Sequence, residues 1–245
     1  MASTVDFHTH ILPGIDDGSK TVDESLAMLR MEAEQGINHV VLTPHFYAEK
    51  ESLPRFLERR NRSLRRLNEA IGSTGRLPNL SVGAEVRIFE GIGNAEFLEE
   101  LVISGTKCIL IEMPVPPWSD SLLKELERIR YKRNLVPIMA HIDRYVSPLR
   151  TKGIPETFAE LPVLVQASGS FFINRNTRNL ALKLLRENKI HLLGSDCHNL
   201  DTRMPNLQDA VRIIEEKMST SRILRINSLE SRLLDGESSK ERIYV

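Results

Sequence analysis

The chain has 245 residues, 41% of them hydrophobic, enough to bury a substantial core in one large domain or two small ones. Its 33 Lys and Arg balance 33 Asp and Glu, so no net field draws it to a polyanion, and nucleic acid is not expected as a partner. No apolar run approaches the roughly 20 residues that span a bilayer, the N-terminus lacks signal-peptide features, and two cysteines are too few for a disulfide framework, so a cytoplasmic protein with reduced thiols is expected.

In chain order, short β-type runs alternate with helical segments, the pattern of βα units around a parallel sheet. Thr4–Phe7 predicts a strand, followed by a helix over Val22–Gln35. That helix has its own start signal, the capping box Thr21-x-x-Glu24, and Gly36 stands where a C-terminal stop belongs. A strand over Asn38–Thr43 precedes a helix over Leu53–Ile71, whose basic segment Arg55–Arg66 reads as a solvated face rather than a phosphate patch. Next come a strand at Leu80–Ala84, a helix at Ala95–Ile103, a strand at Lys107–Met113 and a helix at Ser121–Lys132. Strands at Leu135–Ala140, Val163–Ala167 and Ile190–Gly194 complete a set of seven, with helices at Arg178–Asn188 and Leu207–Met218. No repeat or linker divides the chain, so residues 1–245 are read as a single domain with a polar tail at Gly236–Val245.

Six of the seven strand candidates run into metal-type residues. They lead to His8-Thr-His10, Thr43-Pro44-His45, Gly83-Ala-Glu85, Glu112, His141-Ile-Asp143-Arg144 and Ser195-Asp196-Cys197-His198. In a β/α barrel the carboxyl ends of all strands meet on one face, whereas an open sheet would scatter them along an edge, so a barrel explains the pattern with fewer accidents. In a strand, residues i and i+2 point the same way, so His8 and His10 can share one metal, and Asp196-x-His198 repeats the spacing. Glu112 lies inside an apolar run, where a carboxylate is costly without a counter-charge, and a cation supplies one. His39 and His191, at strand starts, are read as structural. The candidate metal set is His8, His10, Asp17, His45, Glu85, Glu112, His141, Asp196 and His198. Nine such groups exceed the needs of one four-coordinate ion, so two to three divalent metals are expected. Mixed nitrogen and oxygen ligation suits manganese, iron or zinc, with manganese as the leading expectation.

These residues resemble the polymerase and histidinol phosphatase (PHP) superfamily. The blocks Asp6-Phe-His8-Thr-His10-Ile-Leu-Pro-Gly-Ile-Asp16-Asp17-Gly18, Thr43-Pro44-His45, Gly83-Ala-Glu85, His141-Ile-Asp-Arg144-Tyr145 and Ser195-Asp196-x-His198-Asn199-Leu-Asp-x-Arg203 are similar to its capsular-polysaccharide tyrosine-phosphatase branch, the CpsB/YwqE type. The resemblance implies a PHP-type distorted (β/α)7 barrel with its active site at the C-terminal strand ends and a trinuclear metal centre. It implies hydrolysis of phosphotyrosine on a protein substrate, typically a bacterial tyrosine autokinase that controls polysaccharide export. It chooses Asp17 over Asp16 as a ligand and assigns phosphate contacts to Arg144 and Arg203. Planar guanidinium groups would clamp phosphoryl oxygens with paired hydrogen bonds. Asp143 is read as an ordinary surface carboxylate rather than a proton donor. This chain departs from the common pattern at Cys197 and Ser168, which bears on substrate recognition rather than on the ligand set.

Three other readings compete. Cys197-x5-Arg203 has the form of a cysteine-dependent phosphatase loop, yet Leu200 and Asp201 suit a phosphate cradle poorly. A histidinol phosphatase or nuclease of the same superfamily would use the same ligands, and a non-catalytic scaffold would have little reason to keep all of them.

Overall fold

The computed structural model describes residues 5–72, 76–146 and 154–236. The strands are β1 (Val5–Thr9), β2 (His39–Leu42), β3 (His45–Phe46), β4 (Asn79–Val82), β5 (Glu85–Arg87), β6 (Cys108–Glu112), β7 (Val136–Met139), β8 (Leu164–Ser168) and β9 (Leu192–Gly194). The helices are α1 (Val22–Glu34), α2 (Leu53–Ile71), α3 (Asp120–Tyr131), α4 (Ile154–Glu160), α5 (Gly169–Ile173), α6 (Arg178–Arg186), α7 (Leu207–Lys217) and α8 (Thr220–Leu234).

All strand pairings are parallel, in two sheets ordered β1-β2-β4 and β3-β5-β6-β7-β8-β9. Two strands more than expected arise because two staves are bent. Pro44 cannot donate to a ladder, so it parts β2 from β3, while Gly83-Ala84 parts β4 from β5. Hydrogen bonds Gly83 N→Leu42 O (2.9 Å) and Glu85 N→Pro44 O (3.0 Å) carry the pairing across both bends. On the opposite side, Asp196 N→His8 O (2.8 Å) and His10 N→Cys197 O (2.9 Å) join the end of β9 to β1 and close the ring. The result is a distorted, seven-stave PHP-type barrel, as expected.

Two apolar clusters follow from the pleat. Val5, Phe7, Val41, Cys108, Leu110, Val136, Ile138, Leu164 and Leu192 fill the interior, with Leu229 and Leu233 of α8 packed onto them. Residues of opposite parity, among them Val40, Leu42, Ile109, Ile111, Val165 and Leu193, belong to the larger cluster that includes the helices. The interior residues Cys108, Leu110, Leu164 and Leu192 share strand parity with Glu112, Gln166, Ser168 and Asp196 further along, so the inner face of these three staves is oily below and polar above.

Several local expectations need correction. In place of the α-helix expected over Ala95–Ile103 there is a 3-10 helix, Glu96–Leu101, preceded by a separate 3-10 turn, Ile92–Asn94, with Ala95 extended between them. The helices α4, α5 and α8 were not anticipated. For α8 the signal was present: Ile223, Ile226, Leu229 and Leu233 are buried at helical spacing, but intervening serines obscured the stripe. At α1, Thr21 accepts from Glu24 N (3.1 Å), whereas Glu24 reaches back to Lys20 N (2.7 Å) rather than to Thr21. Gly36 has φ of +81°, as its helix-terminating role requires. The basic face of α2 is only partly solvated. Arg60 is buried and donates to Gly83 O (3.2 Å) and Glu100 O (3.1 Å), and Arg59 pairs with Glu51 (2.6 Å). Beyond Gly236, the expected tail lies outside the described residues.

Candidate metal centre

All nine candidate ligands gather at the C-terminal end of the barrel. Glu85, at the start of β5, is the hub: its carboxylate lies 2.6 Å from His141 Nε2, 2.9 Å from His45 Nδ1 and 3.3 Å from both His8 Nε2 and His10 Nε2. Asp196 Oδ1 faces the Nε2 atoms of His8 and His10 at 3.5 Å each. Asp17 bridges the mouth, 3.4 Å from His45 and 3.5 Å from His198. Three overlapping groups have one donor atom from each member within 4.8 Å of the others: His10-Asp17-His45-His198, His8-His10-Glu85 and His45-Glu85-Glu112. They share His10, His45 and Glu85, an overlap that a multinuclear centre requires.

Local backbone devices aim these side chains. The β1–β2 register slips between Asp6 and Thr9, and such a bulge re-aims the strand, so Phe7 joins the interior while His8 joins the polar cluster. His141 (φ +33°) and Asp196 (φ +55°) both hold left-handed conformations uncommon for residues with a Cβ. Gly18 admits no side chain, since a Cβ there would lie 2.1 Å from His10 O.

A second layer orients the first. Asp16 Oδ2 accepts from His10 Nδ1 (2.8 Å) and from His45 N (3.0 Å), which leaves His10 Nε2 facing the cluster. Asp16 is therefore a buried support, whereas Asp17, with a side chain 62% exposed, lines the mouth. Gln166 Oε1 accepts from His141 N (2.6 Å) and lies 3.3 Å from His8 Nδ1. His198 Nδ1 faces Asp196 O at 2.9 Å, turning Nε2 toward Asp17. Gln166, a polar residue inside an otherwise apolar strand, carries the same signal in the sequence as Glu112.

Burial disfavours charge on Glu85, His10 and His198, and the neighbouring charges of the cluster act on each of them as well. It would raise Glu85, but His8 and His141 hold that carboxyl well below its usual range. It would lower His10, but Asp16 and Glu85 together outweigh it and push the imidazole up to about 10. His198, desolvated and beside His10, is pushed down to about 3 and keeps a free lone pair. The carboxylates thus draw positive charge into the pocket, and a divalent cation answers the same demand. The donor directions agree: His45 Nδ1 and Glu85 Oε2 are 2.9 Å apart, yet neither is hydrogen-bonded, nor are Asp196 Oδ1 or His198 Nε2. Buried polar atoms left this way call for a partner, and the nitrogen and oxygen donor set fits a borderline or hard metal ion.

Arg144 and Arg203 flank the cluster. Arg144 contacts Glu112 (3.4 Å) and Asp196 (3.0 Å), and Arg203 contacts Asp196 (2.7 Å). Arg87, two residues beyond Glu85 on β5, was not singled out from sequence and pairs with Glu112 at 3.1 Å. Asp143 accepts from Ser168 N (2.9 Å), at the start of α5, so it supports the backbone there. His39 contacts Ser81 (2.9 Å) and His191 accepts from Val165 N (3.0 Å), both structural as expected. Cys197, the nucleophile of the cysteine-dependent reading, is fully buried, and desolvation together with Glu32 and Asp6 pushes its thiol well up, the reverse of what a nucleophile needs.

The fold and the cluster together define a PHP-type barrel with a candidate metal centre. The chain belongs to the CpsB/CapC family of capsular polysaccharide synthesis, whose family model matches residues 4–232. It is 30% identical over 234 residues to the tyrosine-protein phosphatase YwqE of Bacillus subtilis, covering 88% of this chain and 85% of that protein. It is 28% identical over 219 residues to the tyrosine-protein phosphatase CpsB of Streptococcus agalactiae serotype III, covering 86% and 89%. Among solved structures, one described with YwqE from Bacillus subtilis and CpsB from Streptococcus pneumoniae as metal-dependent tyrosine phosphatases superposes with a TM-score of 0.82 over 96% of each chain at 22% identity.

Proposed function

We propose that this chain is a metal-dependent protein-tyrosine phosphatase that hydrolyses phosphotyrosine, with a bacterial tyrosine kinase governing capsular or exopolysaccharide synthesis as its substrate. The observation that carries the catalytic reading is the Glu85-centred cluster, in which carboxylates and imidazoles converge without hydrogen-bonding one another fully. The substrate reading rests on family membership and on the names of the relatives. Nothing specific favours a histidinol phosphatase, a nuclease or a scaffold. Among the described residues, no helix is long and apolar enough to cross a membrane.

His8, His10, Asp17, His45, Glu85, Glu112, His141, Asp196 and His198 would hold two to three divalent ions, with manganese the leading choice. Bound there, such ions supply a water of lowered pKa and neutralise charge on phosphoryl oxygens. Asp16 and Gln166 keep the imidazoles of His10 and His8 in the orientation the cluster needs. Arg144 and Arg203 donate N–H groups to the oxygens of the transferring phosphoryl group, where planar guanidinium geometry matches the charge that develops. A phenolate leaves with a pKa near 10, so it demands less protonation than an alkoxide.

The direct test is hydrolysis of a phosphotyrosine peptide with added manganese, before and after chelation. Activity should vanish on chelation and return with metal, and chelator-resistant turnover would sink the reading. Manganese at a hundred times its dissociation constant should stabilise the protein by about 2.7 kcal/mol, raising the melting temperature by roughly 5–10 °C in a scan. Cys197→Ser should retain turnover within about three-fold, because a buried neutral thiol contributes no nucleophile. Loss of activity with metal content intact would revive the cysteine route.

A further inference from the structure

The strand β3 places a side chain that the mechanism above does not use. Its pleat sends His45 to the cluster, Phe46 into the core beside Phe56, and the next residue, Tyr47, back to the cluster side. The Tyr47 ring sits 5.1 Å from the His45 ring, centroid to centroid, and its phenol lies in the field of Glu112, Glu85 and Asp17. Tyr47 is half-buried, beside the same His45 that contacts Asp17 at the mouth. Its backbone is fixed by a turn in which Lys50 N (2.9 Å) and Glu51 N (3.2 Å) both donate to Tyr47 O. The Glu51 carboxylate then holds Arg59, which also donates to Ile15 O in the loop carrying Asp16 and Asp17. The ring is therefore tied to the same scaffold as the ligands. Lys50 Nζ lies 3.9 Å over the ring centroid, on an exposed stem that can swing away. Tyr145, which also touches the cluster through His141, is buried, engages Met113 through its hydroxyl and packs on Trp118 and Phe158.

We propose that the Tyr47 ring is a specificity-determining wall, against which the aromatic ring of the substrate packs once its phosphate enters the cluster. This rests on the phosphotyrosine reading above. A rigid aromatic face at the mouth of a charged pocket rewards an aryl phosphate through ring packing and gives a bare phosphate no added contact. The ring, not the hydroxyl, carries this role.

The test compares Tyr47→Leu, Tyr47→Ala and Tyr47→Phe as manganese-loaded full chains, with KM for a phosphotyrosine peptide and inhibition by inorganic phosphate as readouts. The Leu and Ala variants should raise the KM by about ten-fold, while Tyr47→Phe stays within about two-fold of the parent. The inhibition constant of inorganic phosphate should be unchanged in all three. An unchanged KM in the Leu and Ala variants overturns the proposal, as does a Phe variant as impaired as they are. A parallel loss of phosphate inhibition also overturns it, since that assigns the effect to the cluster. If the parent protein binds inorganic phosphate yet hydrolyses no phosphotyrosine peptide, the underlying phosphotyrosine reading fails instead.

Discussion

Glu85→Gln should reduce kcat/KM for an aryl phosphate by roughly a thousand-fold or more, since even supporting partners of a metal site are worth 10- to 100-fold. The expectation comes from geometry. One carboxylate stands within 3.3 Å of four imidazoles, and two of the three candidate metal groups contain it. A neutral amide of the same size retains the packing but removes the charge that draws cations in. Metal content, measured on the purified protein, should fall together with activity. The folded state should survive, because Glu85 contributes to the polar end of the barrel while the apolar interior lies below it. If Glu85→Gln retains full metal and at least a tenth of the turnover, Glu85 is not the hub of the site.

Arg144→Ala should lower turnover by about a hundred-fold, the cost of one aimed donor to a developing oxyanion, with bound metal unchanged. Arg144→Lys should recover little, because a point charge does not reproduce the paired donors of a guanidinium. Arg144 also pairs with Glu112 and Asp196 in the structure, so a purely structural role makes an opposite forecast. In that case metal content, not the chemical step, would change. Measuring metal stoichiometry beside kcat separates the two, and a collapse of metal content removes Arg144 from the list of phosphate contacts. Arg203→Ala should act in the same direction, its contact to Asp196 likewise running through one terminal nitrogen.

Much of this site was legible as residue chemistry. Histidine and carboxylate are rare at the ends of apolar runs without a reason, because each costs free energy to bury alone. Following that cost from His8 to His198 located the candidate ligands. It also called for a barrel, since only a closed ring of parallel strands brings six stave ends to one place. The same logic applied to Val163–Ala167 would have found Gln166, whose amide holds both His8 and the His141 backbone.

Other features follow from three-dimensional placement that no local pattern encodes. Pro44 and Gly83 reveal possible breaks, but the bends become β3 and β5 only because neighbouring staves accept their hydrogen bonds. Asp16 and Asp17 are adjacent and chemically alike; the resemblance preferred Asp17, and the turn at Gly18 alone makes one a buried support of His10 and sends the other to the mouth. Arg87 and Tyr47 read as unremarkable strand-end residues until the pleat puts them two positions beyond Glu85 and His45, on the side facing the cluster. Cys197 reads as a loop thiol until the closure of β9 onto β1 buries it. The amino-acid sequence specifies which donors exist and that a parallel barrel must gather them. Strand register, the bulge in β1 and the left-handed backbone at His141 and Asp196 decide which atoms converge, because convergence depends on long-range pairing rather than on neighbours in the chain.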